Sequence, residues 1–260
     1  MTLQQAIEQL NAQGGQAFIP YIMAGDGGLE TLRDTILRLQ SLGATAIEVG
    51  IPFTDPVADG PTIEAAGMRA LKNGTTLTNV LNTLQSFAQD VTIPLVVMTY
   101  LNPILAYGAD HFAHDAKLAG VRGVIVPDMP MEESDIIHDA LKQQQLALVQ
   151  LVSLTSPPER VAKLAATSEG FVYAVTVNGI TGARSSFANN LEQHFKTLKQ
   201  VSSVPVLAGF GISTPEHVQQ FAEHSDGVIV GSKIVDCLQR GDWDTITKLI
   251  HSAKKLEVNK

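Results

Sequence analysis

Short apolar runs alternate with amphipathic stretches along the whole chain. "AFIPYIM" (17–23), "AIEVG" (46–50), "PLVVMTY" (94–100), "GVIVPD" (123–128), "LALVQLV" (146–152), "GFVYAVT" (170–176), "VPVLAGFG" (204–211) and "GVIVGS" (227–232) read as eight strands. They are short, rich in Val and Ile and apolar on both faces, as parallel strands covered by helices are. Helical periodicity fills the intervals at 29–43, 63–74, 76–90, 109–120, 132–145, 157–168, 189–202 and 215–224, then at 233–240 and 242–256. Eight strand–helix units in 260 residues predict an α/β chain folded as one (β/α)8 TIM barrel over 1–260. "TLQQAIEQLNAQG" adds an N-terminal helix able to plug the amino-terminal mouth, and a short helix follows the eighth strand. The rival, an open doubly wound sheet, calls for an early GxGxxG turn. "MAGDGG" (23–28) lacks that spacing.

Composition narrows the partners. A hydrophobic content of 45% allows a large core, and the net charge of −8 comes without a basic patch, which argues against nucleic-acid binding. With one cysteine, Cys237, no intramolecular disulfide is possible. The amino terminus lacks the apolar core of a signal peptide, and no apolar run approaches the roughly 18 residues of a membrane span. A cytoplasmic protein is the expectation.

In a barrel the chemistry gathers where the strands end at their carboxy termini. Glu48 interrupts the second strand, and Asp55 and Asp59 follow on a loop stiffened by Pro52, Pro56 and Pro61. Glu48 reads equally well as a carboxylate paired with an internal cation or as a general acid/base whose burial raises its pKa. Asp59, before a glycine, is ordinary turn chemistry alone. Paired with Glu48 in different surroundings, it is expected to be the more exposed carboxylate and to stay anionic. "LAGFGIS" (207–213) and "VGSKIV" (230–235) supply glycines at the two loops where barrels bind phosphate at a helix N-terminus. "NGITGARSS" (178–186) is a third such loop, expected to act as a mobile lid over residues 178–190 or as a plain connection. Tyr100 and Tyr173 read as core aromatics at strand positions. The seven histidines show no ligand spacing, so no metal is expected. Lys233 lies outside any strand interior, against a Schiff-base role, and Cys237 reads as packing.

"IEVGIPFTDPVADGPTI" (47–63) closely resembles the second-strand signature of the tryptophan synthase alpha subunit family. The resemblance continues in family order through "MTYLNPI" (98–104), "GVIVPDMPMEES" (123–134), "GITGAR" (179–184), "GFGIS" (209–213) and "GSKIV" (231–235). It implies that Glu48 is the catalytic acid/base and Asp59 the second catalytic carboxylate. It also implies that Tyr173 lines the substrate pocket, that Gly182, Gly211, Gly231 and Ser232 contact phosphate, and that Thr181 is the lid threonine that meets Asp59 on closure. Asp55, Asn102 and Asp128 match positions near a beta-subunit contact. Leu154 and Asn178 depart from the usual pattern. The implied reaction is retro-aldol cleavage of indole-3-glycerol phosphate to indole and glyceraldehyde 3-phosphate. No cofactor is implied in this chain; pyridoxal phosphate belongs to the beta partner, in an expected alpha2beta2 tetramer. Three alternatives stand beside this reading: a phosphosugar isomerase on the same barrel, a stand-alone indole-3-glycerol-phosphate lyase, and a non-catalytic barrel that only activates a beta subunit.

Overall fold

The computed structural model describes residues 1–153, 155–175, 184–209 and 211–253, with the side chains of 184–191 outside the description. Eight parallel strands close into a barrel in sequence order. They are β1 (Ala17–Met23), β2 (Ile47–Gly50), β3 (Leu95–Met98), β4 (Val121–Ile125), β5 (Ala147–Ser153), β6 (Val172–Val175), β7 (Val206–Gly209) and β8 (Gly227–Val230), and β8 pairs back onto β1. The expected closed barrel is therefore the observed one.

Strand parity divides the core into two shells. Ile47 and Val49 of β2 point outward into the large layer between strands and helices, with Phe18 and Ile22 of β1 and Val228 and Val230 of β8. The opposite parity faces the barrel axis, where Ala17, Ile19, Val96, Ile125, Val149, Phe171, Leu207 and Ile229 pack together. Side chains alternate along a strand, so the parity that turns Ile47 and Val49 outward turns Glu48 inward. Its burial follows from its place in the run, with no local distortion.

The helices α1 (Leu3–Ala12), α2 (Leu32–Leu42), α3 (Pro61–Lys72), α4 (Leu77–Ser86), α5 (Leu101–Tyr107), α6 (Ala109–Leu118), α7 (Asp135–Gln143), α8 (Pro158–Thr167), α9 (Arg184–Val201), α10 (Pro215–Ala222), α11 (Ser232–Arg240) and α12 (Trp243–Ala253) accompany the strands. α1 begins at a reciprocal cap: Thr2 Oγ1 accepts from the Gln5 N–H at 3.2 Å, and Gln5 Oε1 accepts from the Thr2 N–H at 3.0 Å. Its Leu3 and Ile7 enter the inner shell, so α1 closes the amino-terminal mouth as expected.

Two helices depart from the sequence expectation. α5 forms in the interval 101–108, to which the sequence pattern assigns no element. Pro103 is its third residue, inside the first turn, where an N–H has no intrahelical partner to lose. α9 starts at Arg184, not 189, so the segment expected as a lid to residue 190 is helical from Arg184 onward. Nothing in "RSSFANN" breaks a helix: it contains neither glycine nor proline. Leu154, Asn178, Thr181 and Gly182 lie outside the described residues.

Candidate active site

The carboxy-terminal mouth holds a cavity of about 360 Å³. Glu48, Asp59, Tyr173, Gly211, Gly231 and Ser232 all line it, so six residues singled out in the sequence meet in one place. Apolar side chains from Ile63, Met98, Ile125, Leu151 and Ile229 form much of the remaining wall. A planar apolar ring fits such a wall, with polar groups gathered at defined points.

Glu48 is buried, and its Oε2 has no hydrogen-bond partner among the described residues. Among the described residues no cation pairs with Glu48, which weighs against the reading of Glu48 as an internal ion-pair partner. Loss of solvent, and secondarily the charge of Asp59, push its pKa up to about 8. A carboxyl in that state holds its proton at neutral pH and is close enough to ionisation to exchange it.

Asp59 sits on the loop between β2 and α3. Pro61 occupies the first turn of α3, where proline is pre-organised, and Gly60 precedes it. Asp59 N–H donates to Pro56 O at 3.0 Å, and Ala58 N–H donates to the Tyr100 hydroxyl at 3.0 Å. Tyr100 also stacks on Phe53 with ring centroids 5.2 Å apart. Asp59 is half-buried, and so the more exposed carboxylate of the pair, as expected. Desolvation pushes its pKa up to about 6, against a hydrogen bond from Tyr100 that lowers it; the Glu64 charge adds to the rise. Asp59 therefore becomes the anion of the pair only above about pH 6.

On the far side of the cavity, Gly231 and Ser232 begin α11, and Gly211 and Ser213 follow β7. The first N–H groups of a helix have no intrahelical acceptors and carry the positive end of its dipole. That end of α11 opens into the cavity, as an anion site requires. Gly211 has φ of 75°, a left-handed conformation that favours glycine.

Asp55, Asn102 and Asp128 do not line the cavity. They belong to three neighbouring connections at the same mouth: Asp55 is exposed after β2, Asn102 is exposed in the first turn of α5, and Asp128 is exposed after β4. Asp128 Oδ1 accepts from the Leu101 N–H at 2.9 Å, at the start of α5.

The sequence reading passed over Tyr21 and treated Tyr100 only as core. Tyr21 is the register partner of Glu48 and shares the inward parity of Ala17 and Ile19 on β1. Parity within "AFIPYIM" was the available signal. The role of Tyr100 depends on a loop folding back over it, which no local pattern records. Among the described residues, no group of three or more His, Cys, Asp or Glu side chains is arranged to hold a metal, and no helix is long and apolar enough to cross a membrane.

Known proteins resemble the chain over nearly its whole length. The family described as "Tryptophan synthase alpha chain" matches residues 7–260. A tryptophan synthase alpha chain from Bacillus thuringiensis subsp. konkukian is 48% identical over 254 residues, 96% of this chain and 98% of the relative. One from Bacillus mycoides is 49% identical over 244 residues, 94% and 95% of the two chains. Among solved structures, Mycobacterium tuberculosis tryptophan synthase superimposes with a TM-score of 0.88 at 34% identity, covering 97% of this chain and 98% of that one. The tryptophan synthase subunit alpha of Campylobacter jejuni gives 0.84 at 34% identity, over 92% and 96%.

Proposed function

The chain belongs to the tryptophan synthase alpha chain family and is a lyase that cleaves indole-3-glycerol phosphate to indole and glyceraldehyde 3-phosphate; we propose that Glu48 and Asp59 divide the work of that cleavage. The observation that carries the assignment is the buried Glu48 carboxyl, its Oε2 without a partner among the described residues, sharing one cavity with Asp59. Protonated Glu48 delivers its proton to indole carbon 3. The ring becomes a cation with charge at its nitrogen, and anionic Asp59 accepts the ring N–H hydrogen bond and stabilises it. The bond from carbon 3 to the glycerol chain then breaks. Its electron pair returns to the ring, the adjoining hydroxyl becomes an aldehyde, and its proton goes to the Glu48 carboxylate.

Gly211, Gly231 and Ser232 hold the phosphate, remote from the broken bond, so that its binding energy orients the reacting carbon. Tyr173 flanks the substrate. Thr181 and Gly182 take the lid roles that the resemblance implies. Residues 1–260 act as one barrel domain in the cytoplasm, with no cofactor in this chain. Asp55, Asn102 and Asp128 face the beta subunit, which holds pyridoxal phosphate in an alpha2beta2 tetramer.

Asp59→Asn tests the electrostatic half. It removes the charge facing the developing cation and is expected to cost roughly 2 kcal/mol or more of transition-state stabilisation, read as indole release with and without the beta subunit. A cationic transition-state mimic should lose far more affinity than a neutral one. Equal losses for the two mimics would end the electrostatic assignment.

A further inference from the structure

Tyr21 lies between the two halves of the site. It sits on β1, which pairs with β2 on one side and with β8 on the other. Its root is on the phosphate side: a Cβ placed on Gly231 would lie 3.7 Å from Tyr21 Cβ and 4.0 Å from Cγ. Its tip is on the acid side, where a Cβ on Gly50 would overlap the Tyr21 hydroxyl. The ring therefore bridges from the start of α11 to the end of β2, the strand of Glu48. Tyr21 is only 5% exposed, and it lines the cavity.

Its hydroxyl differs from that of Tyr100. The Tyr100 hydroxyl is taken up by Asp59 and the Ala58 N–H. The Tyr21 hydroxyl feels Asp59 and Glu48 through their charges, without a hydrogen bond to either. Burial, and then the neighbouring carboxyls of Asp59 and Glu48 when ionised, hold its pKa well above the usual value, so it keeps its proton and remains a donor. Among the described residues the Tyr21 hydroxyl has no hydrogen-bond partner, and the residue lines the cavity, so its donor is free to meet a ligand there.

We propose that Tyr21 is a further substrate-contacting residue, donating its hydroxyl hydrogen bond to an oxygen of the glycerol chain that runs from the phosphate cradle to Glu48. This rests on the reading given above, because only a substrate tethered at Gly231 and reacting at Glu48 must cross the interval the ring covers. Tyr21 sets that distance: its ring limits where the chain runs, and its hydroxyl selects a polar chain over an alkyl one.

Tyr21→Phe keeps the ring and deletes the donor. Its effect is read on the full chain with its beta subunit and by ligand titration of the chain alone. The expected result is a fall in kcat/KM for indole release of about fivefold to tenfold, the effect of one hydrogen bond. Glycerol 3-phosphate should bind more weakly by a similar factor, while inorganic phosphate and indole bind as in the wild type. Unchanged kcat/KM together with unchanged glycerol 3-phosphate affinity would overturn the proposal. Equal weakening of glycerol 3-phosphate and inorganic phosphate would also overturn it, by moving the role of Tyr21 to the cradle. A wild-type protein that releases no indole would instead defeat the underlying reading, and the titrations would still report on Tyr21.

Discussion

The two mouths of the barrel use one packing device for opposite ends. At the amino-terminal mouth, Cβ atoms placed on Gly123 or Gly170 would come within 2.8 Å of Leu3 Cδ2, so the absence of side chains there admits the Leu3 plug. At the carboxy-terminal mouth, Gly50 makes room for the Tyr21 hydroxyl, and a Cβ on Gly209 would overlap the Tyr173 ring. In both places a strand or its edge gives up a side chain so that a larger one can cross the axis. The difference lies in what crosses. Below, it is leucine, sealed with Ile7 and Phe171 into an apolar layer. Above, it is tyrosine, and the same shell now surrounds the Glu48 carboxyl. The lower mouth is built for burial, and the upper one accepts an unpartnered polar atom in exchange for chemistry.

Glu48→Gln should break this contrast most sharply. It keeps size and hydrogen bonding but removes proton exchange, so turnover is expected to fall at least roughly 100-fold. Stability should move the other way. The folded carboxyl ionises near pH 8, whereas its ordinary value is 4.5, so between those values the folded state holds a proton that the unfolded state has lost. Wild-type stability therefore declines as pH rises through that window. Glutamine has no such dependence, and the melting temperature of the variant should gain on wild type more at pH 8 than at pH 5. A variant with near wild-type turnover at saturating substrate, or with no pH-dependent gain, would contradict the account of the upper mouth.

Leu3→Ala attacks the lower mouth. Truncating a fully buried leucine costs about 2–5 kcal/mol of stability, measurable by denaturant unfolding. Indole release at a temperature where the variant stays folded should match wild type, because Leu3 lies at the far end of the axis. A large change in kcat with the stability loss would show that the two mouths are coupled.

The pH profile of kcat/KM links the two carboxylates. Asp59 must be ionised and Glu48 protonated, so activity should fall below about pH 6 and above about pH 8. The two limbs belong to the interacting pair as a whole. A profile that is flat from pH 5 to 9 would remove both assignments.

The division between the mouths was partly legible in the sequence. Glu48 between Ile47 and Val49 announces an inward carboxylate once the strand is seen as covered on both faces. The glycines of "GFGIS" and "GSKIV" mark the far wall of the cavity, proposed above as the phosphate end, because barrel order places them after strands seven and eight. What was not legible depends on tertiary contact. The partial burial of Asp59 comes from a loop folded against Tyr100, which sits far away in sequence. The hydroxyl of Tyr21 gains its meaning only when β8 and β2 close on either side of β1. α5 was missed because seven residues with a proline in the first turn are too few to show a helical period.

Tyr100→Phe is the mildest test, and it isolates how the upper mouth tunes its anion. The Tyr100 hydroxyl acts twice, lowering the pKa of Asp59 through one hydrogen bond and accepting the Ala58 N–H at 3.0 Å. Phenylalanine keeps the stack on Phe53 and deletes both contacts. Desolvation, the largest influence on Asp59, is then opposed by less. The carboxyl should hold its proton to higher pH. A hydrogen bond to a charged group is worth about 1.5–3 kcal/mol, and one pH unit corresponds to about 1.4 kcal/mol. At the lower end of that range, which suits a half-buried carboxylate, the acid limb of kcat/KM should move upward by about one pH unit, while the alkaline limb, set by Glu48, stays close to its place. The rate loss should be several-fold at pH 6 and small near pH 7.5. A purely structural role for Tyr100 would lower activity by the same factor at every pH. Superimposable limbs in the variant and wild type would assign Tyr100 to packing and leave the pKa of Asp59 to burial and Glu64.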